Sequence, residues 1–210
     1  MKRKILGILI LLVLTPYAVS LYLPKRIEPD VFIMGLNGSG SGIFISPTKV
    51  LTARHVVHLN FAKHVIVLSA DGILREVEDI IFLQKKDAAV LILKKSAWVD
   101  VPKITTDVPK MGDDVYYTGS PLTLMCGRLL RKGYVASLYT VNDLRYQHPL
   151  EPFPEANVYR SITIMAETAP GDSGSGVYDK KGRVFGIVVT ASGRGWTGVL
   201  PVSEFEELIK

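Results

Sequence analysis

The chain has a single cysteine, Cys126, in 210 residues, so no disulfide can form within it. A lone thiol also excludes the cysteine clusters that hold structural zinc or iron–sulfur groups. Charged residues are sparse, at 21%, whereas hydrophobic residues make up 48%. This composition is too apolar for an intrinsically disordered protein. Stability must therefore come from a packed core, and the length suits one domain or two small ones that share an interface.

Excess positive charge is almost absent from the body of the chain. The net charge is +5, but Lys2, Arg3 and Lys4 supply three positive charges and residues 5–23 carry none. Residues 24–210 are left with +2, too little for the basic surface that binds nucleic-acid phosphates. We expect no nucleic-acid partner.

One long apolar run, Ile5 to Leu23, follows the basic start of the chain. Its length is close to the roughly 20 residues that cross a bilayer as a helix, and it predicts a membrane-targeting segment over residues 1–23. Pro16 and the Ala-Val-Ser that follows also resemble the end of a cleavable signal peptide. The positive start places the rest of the chain outside the cytoplasm. The protein is then membrane-anchored, or secreted or periplasmic if residues 1–20 are cleaved.

After Pro24 the chain alternates short apolar runs with Gly, Pro and Asp-Gly turns. Such runs are typical of strands, and the turn spacing is typical of sandwiches and barrels. We predict a mostly antiparallel all-β protein over residues 24–210. The predicted strands cover 42–46, 50–52, 65–69, 88–93, 114–118, 135–138 and 184–190. The spacing of Ser203 and Glu206 matches a capping box and predicts a short helix at about 203–210.

The strongest local motif is Gly171–Gly176, with the sequence Gly-Asp-Ser-Gly-Ser-Gly. A nucleophilic serine needs an exposed hydroxyl and backbone N–H groups directed at the developing oxyanion, and glycine permits that turn. Ser173 is the candidate nucleophile. Gly171, Asp172 and Ser173 are the candidate oxyanion-hole residues. The structural alternative is a glycine-rich hairpin loop.

A serine hydroxyl needs a base, and the base needs an orienting carboxylate. His55 follows an apolar strand candidate, and Asp87 directly precedes another. Asp79 is the rival acid, but it lies in a mixed-charge stretch typical of a solvated edge. The alternatives are a structural histidine and a surface aspartate that begins a strand. A zinc site at His55 lacks a third ligand and the His-Glu-x-x-His pattern.

The order His55, Asp87, Ser173, with the motifs around them, resembles the trypsin and chymotrypsin-like serine proteases. Further segments are similar to the high-temperature-requirement branch of periplasmic proteases, and the resemblance covers roughly residues 35–205. These segments are Gly40–Ser46, Gly112–Val115, Gly119–Pro121, Gly133–Ser137 and Gly195–Pro201.

The resemblance implies two six-stranded antiparallel barrels with the active-site cleft between them, the first at about 30–97 and the second at about 110–200. It implies a serine endopeptidase that acts on polypeptides, with an acyl-enzyme on Ser173 and no metal or organic cofactor. Because no further segment follows the predicted terminal helix, we expect the protein to act without the peptide-binding module that usually follows the protease domain in this branch. Two other functions remain open: an inactive double-barrel binding module, and an esterase-type hydrolase with the same triad. The sequence predicts no oligomeric state.

The resemblance also implies a pocket for the side chain before the cut bond. Its candidate residues are Glu167, Thr168, Ala169, Val189, Thr190 and Ala191. Glu167 stands where trypsin-like relatives carry the carboxylate that selects Lys or Arg. Because an unpaired buried carboxylate is costly, we expect Glu167 to point outward and small aliphatic residues to be preferred, with basic residues as the alternative.

One departure from the family pattern concerns the activation of a protease by cleavage of its chain. In zymogen-type relatives an aspartate at the position of Asp172 pairs with a newly exposed N-terminal amine, and Arg26-Ile27 offers a formal cleavage site. The Glu-Pro that follows lacks the flexible glycines expected there. We therefore expect no activation by cleavage.

Overall fold

The computed structural model describes residues 26–36, 38–58, 60–83, 86–121, 128–143, 158–191 and 195–209. Residues 1–23, for which the sequence predicts a membrane-targeting segment, lie outside these ranges, as does Cys126, and the predictions made for them stay predictions. Within the described ranges no helix is long and apolar enough to cross a membrane.

The first half of the described chain forms a closed antiparallel barrel of six strands. They are β1 (Asp30–Gly35), β2 (Gly38–Ser46), β3 (Lys49–Thr52), β4 (Ile66–Leu68), β5 (Leu74–Phe82) and β6 (Ala89–Leu93). Their order around the barrel is β1-β2-β3-β6-β5-β4. A single helical turn, α1 (Arg54–Val57), follows β3, with Val56 and Val57 buried.

The second half forms another closed six-stranded barrel. Its strands are β7 (Asp114–Gly119), β8 (Leu129–Asp143), β9 (Val158–Met165), β10 (Gly176–Asp179), β11 (Val184–Ala191) and β12 (Trp196–Pro201). Their order is β10-β11-β12-β9-β8-β7, with all pairs antiparallel. The prediction of two six-stranded antiparallel barrels is therefore confirmed.

The hydrophobic core extends from the first barrel across the contact between the barrels. The first barrel is filled by side chains such as Ile33, Ile43 and Leu51, and the same cluster continues into Tyr178 and Leu200 of the second barrel. The interior of the second barrel forms a smaller cluster of its own. Each fully buried aliphatic side chain stabilises the fold by roughly 1.5–3 kcal/mol. The shared cluster fixes one barrel against the other, which a site built from both requires.

The predicted terminal helix at about 203–210 is wrong in type. The chain forms two short 3₁₀ helices there, Val202–Glu204 and Glu206–Leu208. The first begins after Pro201 without a side-chain cap, so the expected capping box of Ser203 does not form. Phe205, at φ −144°, separates the two turns. Its fully buried side chain belongs to the main core cluster, so packing of Phe205 overrides the helical pattern.

A buried carboxylate lies at the contact between the barrels. Asp30 on β1 accepts a hydrogen bond of 3.5 Å from the hydroxyl of Tyr178 on β10. Tyr178 in turn stacks on Tyr116, with the ring centroids 5.0 Å apart. Burial raises the pKa of Asp30 to about 7, although the positive charge of Arg128 opposes the rise. Folding therefore favours the protonated form of this side chain.

This pKa predicts how the stability of the fold changes with pH. Below about pH 4 Asp30 is protonated in both the folded and unfolded chain; between about pH 4 and 7 only the unfolded chain ionises, so stability falls as pH rises. We expect Asp30→Asn, which mimics the protonated form, to raise the free energy of unfolding at about pH 8 by at most about 4 kcal/mol. At about pH 4 the variant and wild type should melt alike.

Thermal melts at the two pH values measure the difference. Asp114→Asn is the matched control, because Asp114 is exposed at the start of β7. The same gain in both variants would contradict the role assigned to burial.

Candidate active site

His55 lies in α1, the single helical turn that follows β3. Ala53 is in an extended conformation, at φ −73° and ψ 141°, and the chain then turns into α1. The burial of Val56 and Val57 anchors this turn, and the His55 side chain is left 15% exposed. The His55 side chain is therefore largely buried, and a small part of it remains accessible.

Asp87 lies between β5 and β6, and its carboxylate is fully buried. Oδ2 is 2.7 Å from His55 Nδ1, and Oδ1 accepts a 3.0 Å hydrogen bond from the backbone N–H of His55. Two contacts from one carboxylate fix both the backbone and the ring of His55. A carboxylate beside Nδ1 stabilises the tautomer with its proton on Nδ1, which leaves Nε2 as an acceptor.

Asp79, the rival acid, has no such position. It is exposed on β5, and its carboxylate accepts a hydrogen bond from the N–H of Ile80. The structure thus brings Asp87, and not Asp79, to His55.

The Gly171–Gly176 motif forms a tight turn before β10, the serine turn. Gly171 and Gly174 have φ values of +102° and +90°, which side chains disfavour. The N–H of Asp172 donates to Ala169 O at 3.0 Å, and the N–H of Gly174 donates to Val188 O at 2.8 Å. Ser173 is half-buried at the top of this turn.

Contacts from the first barrel hold the turn beside the His55 segment. Ser41 on β2 donates its N–H to Ser173 O at 2.8 Å and its hydroxyl to Gly171 O at 2.7 Å. A side chain at Gly174 would overlap Thr52, at the end of β3. A side chain at Gly40 would meet Ser173 O at 2.9 Å and the side chain of Val56 at 2.7 Å. The turn therefore packs against both ends of the short stretch that carries His55.

The candidate oxyanion hole has two donors available. In the ranges that the structure describes, the N–H groups of Gly171 and Ser173 donate to no other group. The N–H of Asp172, by contrast, is taken by Ala169 O. Asp172 therefore contributes to the site by holding the turn, while its neighbours present the donors.

The first wall of the candidate pocket leads into the serine turn. The Glu167 side chain is 86% exposed, and its carboxylate lies 3.4 Å from Arg131 Nη1. Thr168 Oγ1 hydrogen-bonds with the hydroxyls of Tyr117 and Thr197. The N–H of Ala169 donates to the Asp172 carboxylate at 2.9 Å. These contacts tie the wall to the interior of the second barrel.

The second wall is the end of β11. Val189 is buried, and its side chain belongs to the core cluster that the barrels share. Thr190 is half-buried after a register shift in the pairing with β12. Ala191 pairs with Thr197, and its side chain lies outside the described part.

Sequence reasoning missed several residues that support the site. Ser41 was visible only as part of a Gly-Ser-Gly segment, and its bonds to the serine turn depend on the docking of two barrels. Arg131 and Tyr117 reach the site from neighbouring strands of the second barrel, and no local motif marks them. Across the described residues, no three His, Cys, Asp or Glu side chains form a group that could hold a metal ion.

Two docked antiparallel barrels, with a His–Asp pair on one and a Gly-Asp-Ser-Gly turn on the other, define the class of chymotrypsin-like peptidases. The sequence model of the trypsin-like peptidase domain family matches residues 40–187 of this chain. The chain therefore belongs to the trypsin-like peptidase family.

Solved structures agree on the fold. The active form of the Rv3671c protease from M. tuberculosis has a TM-score of 0.73 and 23% identity, with 85% of this chain and 78% of that chain covered. An inactive form of the same protease has a TM-score of 0.71 and 24% identity, with 85% and 86% covered. Among curated proteins, none matches this chain.

Proposed function

We propose that the protein is a serine endopeptidase in which Ser173 is the nucleophile, His55 the general base and acid, and Asp87 the group that orients His55. The observation that carries the proposal is the 2.7 Å contact between the buried Asp87 carboxylate and His55. The second barrel adds the turn that carries the half-buried Ser173, where the N–H groups of Gly171 and Ser173 have no acceptor among the described residues. No metal or organic cofactor enters this chemistry.

The chemistry follows from these positions. His55 Nε2 takes the proton of Ser173 Oγ as that oxygen attacks the carbonyl carbon of a peptide bond. The N–H groups of Gly171 and Ser173 stabilise the oxyanion. His55 then gives its proton to the leaving amine, the C–N bond breaks, and an acyl-enzyme remains. Water, activated by the same imidazole, attacks the ester and releases Ser173.

Covalent labelling tests the proposal. We expect a fluorophosphonate probe to label the full chain on Ser173, as located by peptide mass spectrometry, and the same preparation to digest an unfolded protein such as casein. Labelling without proteolysis would favour an esterase-type hydrolase. Absence of both would favour an inactive double-barrel binding module.

We further propose that the pocket selects small aliphatic residues before the cut bond. Glu167 points to solvent and its carboxylate lies next to Arg131, so it offers little unpaired negative charge to a basic substrate side chain. We expect a peptide library to be cut after Val, Ala or Leu, and Glu167→Ala to leave that profile unchanged.

Glu78→Ala, at an exposed position on β5, is the control for a general loss of surface charge. Dominant cleavage after Lys or Arg that Glu167→Ala abolishes would show instead that the pocket is basic-specific.

We also propose that residues 5–23 tether the protease domain to a membrane with the domain outside the cytoplasm. The apolar run and the positive start motivate this orientation. After carbonate extraction we expect the full-length chain in the membrane pellet. Full-length chain in the supernatant would contradict the tether, and a mature chain that begins at Leu21 would identify a cleaved signal peptide.

A further inference from the structure

Besides Asp87, the candidate site contains a second buried carboxylate, that of Asp172 in the serine turn. The side chain of Asp172 has no solvent exposure. Its Oδ2 accepts a hydrogen bond of 2.9 Å from the N–H of Ala169. This bond ties the segment before the serine turn to the turn itself. Gly119 makes room for it, because a Cβ there would overlap the carboxylate. In the described part of the chain Oδ1 has no hydrogen-bond partner.

A buried carboxylate with so few donors needs a cation nearby. Transfer of an unpaired charge out of water is among the most costly events in a folded protein, and the loss of one member of a buried pair leaves the other uncompensated. Burial raises the pKa of Asp172, while the Ala169 N–H and the guanidinium of Arg131 oppose the rise. Arg131 is thus the positive charge that faces this group.

The Arg131 side chain is largely buried beside two carboxylates. Arg131 lies on β8 opposite Tyr117 of β7, and its side chain is only 14% exposed. Nη2 lies 3.5 Å from Asp172 Oδ2, and Nη1 lies 3.4 Å from Glu167 Oε2. One guanidinium therefore faces carboxylates at both ends of the segment that leads into the serine turn.

We propose that Arg131 is a positioning residue, whose guanidinium holds the Asp172 carboxylate inside the turn and so keeps the N–H groups of Gly171 and Ser173 directed at the substrate. The inference rests on the proposed function, because it concerns the oxyanion hole of that same site. It adds a charge pair to the three catalytic residues and assigns β8 a part in catalysis.

The pair has a consequence for activation. Because the cation for Asp172 is part of β8, no new amino terminus is needed to supply it. Ile27, the residue after the formal cleavage site, instead donates its N–H to Trp98 O and forms a bridge with Val99. The proposed role of Arg131 therefore predicts that the oxyanion hole forms without cleavage of the chain.

A double-mutant cycle on the full chain tests the charge pair. The variants are Arg131→Met, Asp172→Asn and Arg131→Met/Asp172→Asn, with Lys132→Met as the matched control, because Lys132 is the exposed neighbour on β8. The measurements are kcat and KM on a peptide substrate, the rate of fluorophosphonate labelling, and the thermal midpoint of each variant.

We expect Arg131→Met to lower kcat by about 10- to 100-fold with little change in KM, since the loss of one oxyanion donor costs on the order of 100-fold or more. The kcat of the double variant should recover to within about 3-fold of the kcat of Asp172→Asn, because a neutral side-chain amide needs no cation beside it. Lys132→Met should match wild type. If Arg131→Met does not fold, Arg131→Lys takes its place in the experiment. Lysine keeps the positive charge but lacks the forked N–H donors of the guanidinium, so its kcat should be lower than that of wild type, by less than the loss expected for Arg131→Met.

The possible results separate the two proposals. Full activity of folded Arg131→Met, or failure of Asp172→Asn to rescue it, would overturn the positioning role while Ser173 labelling of wild type still stands. Absence of labelling and turnover in wild type would overturn the proposed function and this inference with it. A rescue seen in the melting temperature but not in kcat would make the pair purely structural, and would also overturn the inference.

Discussion

Ser173→Ala is expected to reduce kcat for peptide hydrolysis by several orders of magnitude, up to roughly 10⁶-fold as in enzymes where a triad serine has been removed. The methyl group cannot form an acyl-enzyme, so only the oxyanion donors and substrate binding remain to assist water. KM should change little, because the hydroxyl forms its new bond only after the substrate is bound. Steady-state kinetics on a fluorogenic peptide, with loss of fluorophosphonate labelling as a second measurement, check this result.

Ser175→Ala is the matched control for that experiment. Ser175 lies two residues further along the same motif, its side chain is buried, and its hydroxyl has no hydrogen-bond partner within the described ranges. Removal of a buried hydroxyl that makes no bond is close to neutral, so activity and labelling should persist. An active Ser173→Ala or an inactive Ser175→Ala would contradict the choice of nucleophile.

Seven of the twelve strands overlap apolar runs that the sequence predicts: β2, β3, β4, β6, β7, β8 and β11. The predicted runs leave out β1, β5, β9, β10 and β12. β5 has the weakest signal of these, since Leu74–Phe82 is largely exposed, with Val77 as its buried residue. The mixed charges of Arg75 to Asp79 predict a solvated edge. Glu76, Glu78 and Asp79 are exposed, whereas the Arg75 side chain is only 11% exposed. Backbone pairing with β4 and β6 makes the segment a strand, and such pairing leaves no hydrophobic signal in the sequence.

The candidate site could be located from the sequence to the extent that its residues lie in local motifs. His55 and Ser173 are marked by their flanking residues, and Asp87 by its place before an apolar strand. The supports of the serine turn are different. Ser41 reaches the serine turn because the two barrels dock, and Arg131 reaches it because β8 pairs with β7. Both contacts depend on tertiary structure, so no local sequence motif predicts them.

Asp87→Asn carries the second large expected effect, a fall in kcat/KM of up to about 10⁴-fold. The asparagine has the same shape, but only one of its two polar atoms accepts hydrogen bonds. The carboxylate of Asp87 accepts two, from the backbone N–H and from Nδ1 of His55. If the amide oxygen keeps the backbone bond, the NH₂ group faces Nδ1. The ring must then carry its proton on Nε2, where it cannot accept the proton of Ser173.

Asp79→Asn separates this explanation from a general effect of lost negative charge in the first barrel. Asp79 is exposed on β5 and bonds only locally to the N–H of Ile80 among the described residues, so its replacement should leave kcat/KM within about 2-fold of wild type, as is usual for surface positions. Both variants should be compared at equal folded fraction, judged by thermal melts. An inactive Asp79→Asn beside a fully active Asp87→Asn would show that the acid has been assigned to the wrong residue. Loss in Asp87→Asn alone, with fold and KM retained, is the result that the buried 2.7 Å contact to His55 requires.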